Sequence, residues 1–453
     1  MNLLDDAARR GQRYIDGLRD RRVAPLPEGL ANLHRFREPM PDHPTDPAEA
    51  LRLLDEVGSP ATMAMAGPRF FGFVIGGALP ATVASNWLTT AWDQNTGLWG
   101  PTPSTSTIEV VALAWLLDVL GLPSESGGAF VTGAAMANFT ALAAARHAQL
   151  TGAGWDVEAL GLQGAPPLTV VVSAEAHPTL TKALGLLGLG RERAHVVPVD
   201  AQGRMRADAL PPITAPAIVC MQAGNLNTGA FDPASEIIAW AHRAGAWVHV
   251  DGAFGLWAAA SPRLAPLARG LADADSWATD AHKWLNVPYD SGLAFTRDAA
   301  ALRGAMTIHA SYLPRAEERI PSDYTPELSR RARGVDVWMA LRTLGRSGLA
   351  EQLERTCRHA RRFAEGLTAA GHDVLNEIVL NQVLVAFGDP ETTDRVIAAI
   401  QDDGTCWCGG TTWQGRRAMR ISVCSWATTD EDVERSLDAM LRAASGVIRH
   451  PVP

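Results

Sequence analysis

His249-Val250-Asp251-Gly252-Ala253-Phe254, followed by Ser276-Trp277-Ala278-Thr279-Asp280-Ala281-His282-Lys283-Trp284, is the part of the chain on which its reading turns. Trp247 to Asp251 is a short apolar run closed by a carboxylate. An Asp in that position lies at the carboxyl edge of a sheet, where open α/β sheets bind their ligands, and it can hold a ring nitrogen protonated. Lys283, preceded by His282 and small polar residues, can form a Schiff base with a carbonyl. Each feature also has a plain structural explanation. An Asp after a strand is commonly a turn or helix-capping residue, and a lone lysine is commonly a solvated surface group.

Composition separates the two explanations. Among 40 basic residues only Lys182 and Lys283 are lysines. Arginine does not deprotonate in proteins, so any amine chemistry falls to one of two positions. Lys182 sits in HPTLTKALGLLGLG, where it reads as a helix-face residue, whereas Lys283 lies in an apolar, aromatic-flanked segment. Asp251 and Lys283 are together the two groups a pyridoxal phosphate site requires: an imine anchor, and an anion that keeps the pyridinium an electron sink.

Around these motifs the pattern alternates. IEVVALAWLLDVL has helical periodicity, and GGAFVTGAAMANFTALAAARHAQL reads as strand, glycine turn and Ala-rich helix. Short apolar runs recur at 168–173, 194–199, 217–222, 247–251 and 291–296. Apolar on both faces, they predict an α/β fold with a mostly parallel sheet covered by helices. Residues 1–60, helical and broken by Pro25, Pro27, Pro39, Pro41 and Pro44, read as an N-terminal arm, and 61–305 as the large cofactor-binding domain. From 306 to 453 follow a polar loop, a connecting helix beginning near Asp336, strands in HDVLNE, QVLVAF and AMRISVCS, and helices at 391–402 and 430–445: a small α+β domain.

With 453 residues, 47% hydrophobic and 20% charged, the composition is that of a soluble globular protein of two domains. A net charge of −9 without any Lys/Arg-rich run disfavours nucleic acid and anionic membranes as partners. No stretch approaches a membrane span, and MNLLDDAARRGQRYIDGLRD lacks the apolar core of a signal peptide, so the expected compartment is the cytoplasm. Five scattered cysteines are unlike a disulfide framework. Cys406 and Cys408 read as strand residues, with a metal site a remote alternative, and no metal is expected.

Carrying HVDGAFG and DAHKW, the chain resembles the group II pyridoxal-phosphate-dependent decarboxylases, the family of aromatic amino acid, histidine, tyrosine and glutamate decarboxylases. The similarity runs from about 65 to about 350 and again near 420. It implies fold type I, the aspartate aminotransferase-like fold, with pyridoxal 5′-phosphate as cofactor and an active site at a homodimer interface. The implied reaction converts an L-amino acid, aromatic acids among the candidates, to the amine and CO2. The same cofactor supports aldol cleavage, transamination and aldehyde-forming oxidative deamination, and a non-catalytic scaffold is a further alternative. Retention of a lysine in the motif that needs an amine argues against the scaffold.

The resemblance also assigns residues. Lys283 is the cofactor lysine and Asp251 the partner of the ring nitrogen. Ser173-Ala174-Glu175-Ala176-His177 matches the segment whose histidine stacks on the ring, giving His177 that role, with the small Ala253 on the opposite face. Thr132-Gly133-Ala134-Ala135-Met136-Ala137-Asn138 matches the turn that holds the cofactor phosphate, with Ala134 and Ala135 where the family often has a hydroxyl. Backbone N–H groups and His282 then carry the phosphate. Asn225 or Asn227 is placed to reach Asp251 or the ring hydroxyl, and the choice between them stays open. Asp280 stands where the family usually has Asn, its role open. Arg420, on the late strand Met419-Arg420-Ile421-Ser422, and Phe73, in Pro68-Arg69-Phe70-Phe71-Gly72-Phe73, are the substrate-binding candidates, and Trp99 is a residue the neighbouring subunit supplies. Phe70, Phe71, Phe73 and Trp99 also read as plain core aromatics. In the family a loop tyrosine protonates the carbanion. Of four tyrosines, Tyr312 and Tyr324 lie in the matching stretch, the family position falls near Ile320, and Tyr312 is the expected donor. The alternative is that both tyrosines anchor the loop ends.

Overall fold

In the computed structural model, which describes residues 2–308 and 317–449, seven strands form one sheet in the order β1-β7-β6-β5-β4-β2-β3. They are β1 Gly127–Val131, β2 Thr169–Ser173, β3 His195–Val197, β4 Ala217–Gln222, β5 Trp247–Asp251, β6 Ser276–Asp280 and β7 Gly292–Thr296. β2 through β6 pair in parallel, and β7 runs antiparallel between β6 and β1. Every residue of β1, β4, β5, β6 and β7 is buried. For β1, β4, β5 and β7 that follows from largely apolar runs without alternation, which suit a sheet covered on both faces.

β6 is not among the strands the sequence leads one to expect. Ser-Trp-Ala-Thr-Asp has polar ends and no β-branched run, so nothing local marks it, and its pairing partners make it a strand. Its register puts His249 opposite Ser276 and Asp251 opposite Ala278, so Asp280 projects beyond Asp251 at the carboxyl edge. The Ala-rich helix Ala134–Gly152 packs across β5, β6 and β7. Trp257, Trp277 and Trp284 are fully buried, and each indole N–H is satisfied: by Asp280 O at 3.0 Å, Leu271 O at 2.8 Å and Thr356 Oγ1 at 2.9 Å.

The chain divides into two compact units, 76–358 with 376–382, and 1–75 with 359–375 and 383–453. The first holds the large sheet. The second carries β8 Asp373–Val374, β9 Gln382–Ala386, β10 Gly409–Trp413 and β11 Arg416–Ser422 in the order β10-β11-β9-β8, with helices Pro390–Asp403 and Asp430–Arg449. Cys406 and Cys408 are not strand residues. They flank Trp407, which makes an isolated bridge to Phe70, and both thiols are buried beside it. β10 is also unexpected, because Gly409 and Gly410 open it and its residues are mostly half-exposed. The helix Arg333–Ala369 is interrupted at Gly345 (φ 60°, ψ −177°).

One close approach fixes where the Ala134 helix begins. A Cβ on Gly292 of β7 would stand 2.4 Å from Gly133 Cα and 2.5 Å from Gly133 C, both backbone atoms. Gly292→Ala therefore forces the helix start away from the sheet, and we expect a loss of roughly 1–3 kcal/mol in chemical unfolding. A denaturation midpoint equal to that of the parent would show that this contact does not position the helix.

Candidate active site

The two sequence motifs meet at the carboxyl ends of β5 and β6. Asp280 N–H donates to Ala253 O at 2.9 Å and Thr279 Oγ1 donates to the same oxygen at 3.3 Å. Beyond Asp280 the chain turns into the short helix Ala281–Trp284, which brings Lys283 back over its strand. Lys283 Nζ lies 3.1 Å from Asp280 Oδ2. The other oxygen, Oδ1, accepts the Ala134 N–H at 2.6 Å and faces His282 Nε2 at 3.4 Å. Asp280 is nearly fully buried, so this carboxylate joins the helix N-terminus, the histidine and the lysine in one cluster.

His282 is held on several sides. Ser291 N–H donates to its Nδ1 at 3.1 Å, which leaves the proton on Nε2, toward Asp280. Its ring stacks on Tyr289 with centroids 4.4 Å apart. A Cβ on Gly133 would touch its Cε1 at 3.1 Å. Burial pushes the imidazole below its usual range, against the pull of Asp280.

Asp251 is 4% exposed and accepts a hydrogen bond at each oxygen: Ala253 N–H to Oδ1 at 3.2 Å and Asn138 Nδ2 to Oδ2 at 3.1 Å. The side chain that meets this carboxylate is thus Asn138, not Asn225. Asn225 turns its Oδ1 back to accept Asn227 N–H at 2.8 Å and Thr228 N–H at 3.1 Å, closing its own loop. Sequence reasoning misses Asn138 as a partner because it closes the segment read only as the phosphate turn; the three-dimensional proximity of helix and strand reveals it. Behind it lies His249, fully buried, with Nε2 2.9 Å from Asn138 Oδ1 and Nδ1 2.9 Å from Ser276 Oγ.

The remaining expected residues are more dispersed. His177 is half-buried and caps the helix Pro178–Leu186, its Nδ1 accepting Thr179 N–H at 3.2 Å. Phe70 and Phe71 are buried core residues, while Phe73 is 58% exposed at φ 54° and leans on Trp407 at 5.5 Å. Arg420 lies on β11 in the other compact unit, where burial pulls its guanidinium down to about 10, still cationic at neutral pH. Trp99 is half-buried. Tyr312 lies outside the described residues. Tyr324 carries the Arg319 guanidinium 3.4 Å above its ring centroid, a packed contact that suits an anchor of the loop end.

These residues fit pyridoxal 5′-phosphate. The Ala134 helix offers its N-terminus to an anion, and Ala135 N–H has no partner among the described residues. An amine, a histidine N–H and a doubly hydrogen-bonded carboxylate lie at the same sheet edge. Among the described residues, no group of three or more His, Cys, Asp or Glu is arranged to hold a metal ion.

Comparison with known proteins agrees. Residues 36–388 match the model of the pyridoxal-dependent decarboxylase conserved domain. An L-2,4-diaminobutyrate decarboxylase of Rhizobium meliloti (strain 1021) is 28% identical, the match covering 93% of this chain and 87% of that protein. An aromatic-L-amino-acid decarboxylase of Bacillus atrophaeus is 27% identical, covering 71% and 67%. Among solved structures, Oryza sativa TDC with PLP and tryptamine superposes with a TM-score of 0.90 at 23% identity, covering 98% of this chain and 97% of that one, which supports the fold.

Burial pushes the His249 imidazole down to about 3 from 6.5. Between those values the unfolded chain binds a proton that the folded chain does not. Stability is therefore full above pH 6.5 and falls as pH drops toward 3, by about 1.4 kcal/mol per pH unit from this residue. We expect His249→Gln to have a shallower pH dependence of unfolding free energy than the parent, measured from pH 6.5 down to the lowest pH at which both unfold reversibly. Equal slopes would contradict a neutral buried His249.

Proposed function

Since this chain belongs to the pyridoxal-dependent decarboxylase family and catalyses pyridoxal-phosphate-dependent decarboxylation of an amino acid, we propose that Lys283, Asp251, His177, Ala253, His282, Ala134 and Ala135 hold the cofactor and that Arg420 receives the substrate carboxylate. When bound, pyridoxal 5′-phosphate supplies an electron sink for the pair left behind by the departing CO2. The observation that carries the reading is the approach of Lys283 Nζ to within 3.1 Å of Asp280 at the start of the Ala134 helix, in a chain with only one other lysine.

Each group then has a task its surroundings suit. Lys283 is the amine that would fasten the cofactor carbonyl and exchange with the substrate amine. The Asp251 carboxylate, with a hydrogen bond at each oxygen, is held in place and would retain a proton on the ring nitrogen. Ala253 is small enough to let a flat ring pass, and His177 would cover the other face. Ala134 and Ala135 N–H with His282 would receive the phosphate, as helix N-termini do. Arg420 offers a fork matched to a carboxylate, and Phe73 a pocket wall. Tyr312 is retained as the proton donor to the α carbon, with retro-aldol, transaminase and oxidative outcomes as the alternatives. The names of the matched relatives point to both aromatic and diamino acids as substrate classes. A cytoplasmic homodimer belongs to the same reading. Supporting it are the exposed Trp87, Leu88 and Trp92 on one helix and the five buried cysteines, none in a disulfide. No helix among the described residues is long and apolar enough to cross a membrane.

Two outcomes test these assignments. With a panel of L-amino acids, the enzyme should release CO2 and amine in equal amounts, and Lys283→Ala should abolish both while Lys182→Ala retains them; keto acid or aldehyde as the main product would favour the alternatives. Asp280 places negative charge where the phosphate would bind, so Asp280→Asn should raise the affinity for pyridoxal 5′-phosphate relative to that for unphosphorylated pyridoxal, on the order of tenfold. Weaker binding of the phosphorylated form would instead make the charge of Asp280 essential for holding Lys283.

A further inference from the structure

Behind Asp251 runs an unbroken line of buried hydrogen bonds. Trp247 Nε1 donates to Ser276 Oγ at 2.8 Å, and Ser276 Oγ lies 2.9 Å from His249 Nδ1. His249 Nε2 lies 2.9 Å from Asn138 Oδ1, and Asn138 Nδ2 donates to Asp251 Oδ2 at 3.1 Å. His249, Asn138 and Ser276 have no exposed surface, and Trp247 is 6% exposed. The line is built by strand register: His249 faces Ser276 across the β5–β6 pair, and the Ala134 helix lays Asn138 over β5.

The ends of this line fix its direction. An indole N–H can only donate, and an ionised carboxylate can only accept. From the carboxylate end, Asn138 must present its NH2 to Asp251 and its oxygen to His249, so His249 carries its proton on Nε2. Nδ1 is then an acceptor, which the Ser276 hydroxyl serves with its single proton while its oxygen accepts from Trp247. Each of the four links then has one donor and one acceptor. The opposite direction needs a protonated Asp251, an inverted Asn138 amide and a proton on His249 Nδ1. Two donors would then point at Ser276 Oγ, whose own proton would lose its His249 acceptor. In a dry interior an unmatched polar group is costly, so the forward direction is the stable one.

We propose that Trp247, Ser276, His249 and Asn138 form a one-way hydrogen-bond chain that keeps Asp251 aimed, His249 and Asn138 being positioning residues for the cofactor ring. This rests on the reading of Asp251 as the partner of the ring nitrogen. The four residues reach Asp251 only through Asn138 and need touch neither substrate nor cofactor. Their effect is on the orientation of one carboxylate, through the hydrogen bond at its Oδ2.

The first measurement needs no substitution. In apoprotein labelled with ¹⁵N-histidine, His249 should appear as the neutral Nε2–H tautomer; a neutral Nδ1–H tautomer or an imidazolium overturns the proposal. The second uses holoenzyme loaded with ring-¹⁵N pyridoxal 5′-phosphate. The parent and His249→Gln, which keeps a donor toward Asn138, should both show a pyridinium nitrogen. His249→Leu and Asn138→Leu should shift that signal to the unprotonated pyridine range. An unshifted pyridinium signal in both leucine variants overturns the chain while leaving the cofactor assignment standing. An unprotonated ring in the parent would instead remove Asp251 from its assigned role. Should the leucine variants fail to fold, the tautomer in the parent still decides.

Discussion

A buried carboxylate at the end of β6 ties the candidate site together. Asp280 binds the first N–H of the Ala134 helix, stands against His282 and pairs with Lys283, so three elements that are far apart in sequence share one anion. An ion pair taken out of water stabilises a fold only when its remaining hydrogen-bonding capacity is filled, and here both oxygens are used. The constraint works in two directions. The Gly133–Gly292 crossing lets the helix start reach Asp280, and the turn after β6 lets Lys283 fold back over it.

Asp251 and Asp280 stand at the ends of adjacent parallel strands, yet their surroundings differ. Asp280 is met by a cation and by a histidine N–H, Asp251 by two neutral N–H donors. A carboxylate held by neutral donors is not paired with a cation, which is the surrounding the proposed ring partner needs. A carboxylate paired with a lysine restrains that amine until a ligand competes for it. Two acidic residues of one type thus stand in different surroundings, and the separate duties proposed for them follow that difference.

Much of this is legible in the sequence, for physical reasons. β4 and β5 are continuous apolar runs, and the Ala-rich segment after Gly133 can be little but a buried helix, so the sheet and its cover are readable. The scarcity of lysine is enough to single out Lys283. What sequence does not reveal depends on distant pairing. β6 is a strand because β5 and β7 flank it, β10 because β11 does, and Cys406 and Cys408 are held beside a bridge instead of within a strand. Asn138 and His249 are each visible as residues, but their connection through Ser276 depends on strand register and on which face of a helix lies against the sheet. Asn225 illustrates the converse: a side chain of the right type in the right loop is spent closing its own turn.

The claim on which the account stands is that the amine of Lys283 holds the cofactor. Holoenzyme reduced with borohydride, digested and mapped by mass spectrometry tests it directly, because the chain offers just two lysines. The account predicts the pyridoxyl mass on the peptide containing Lys283 and none on the peptide containing Lys182. Label on Lys182, or on neither lysine in a protein that still binds the cofactor and releases CO2, would contradict it.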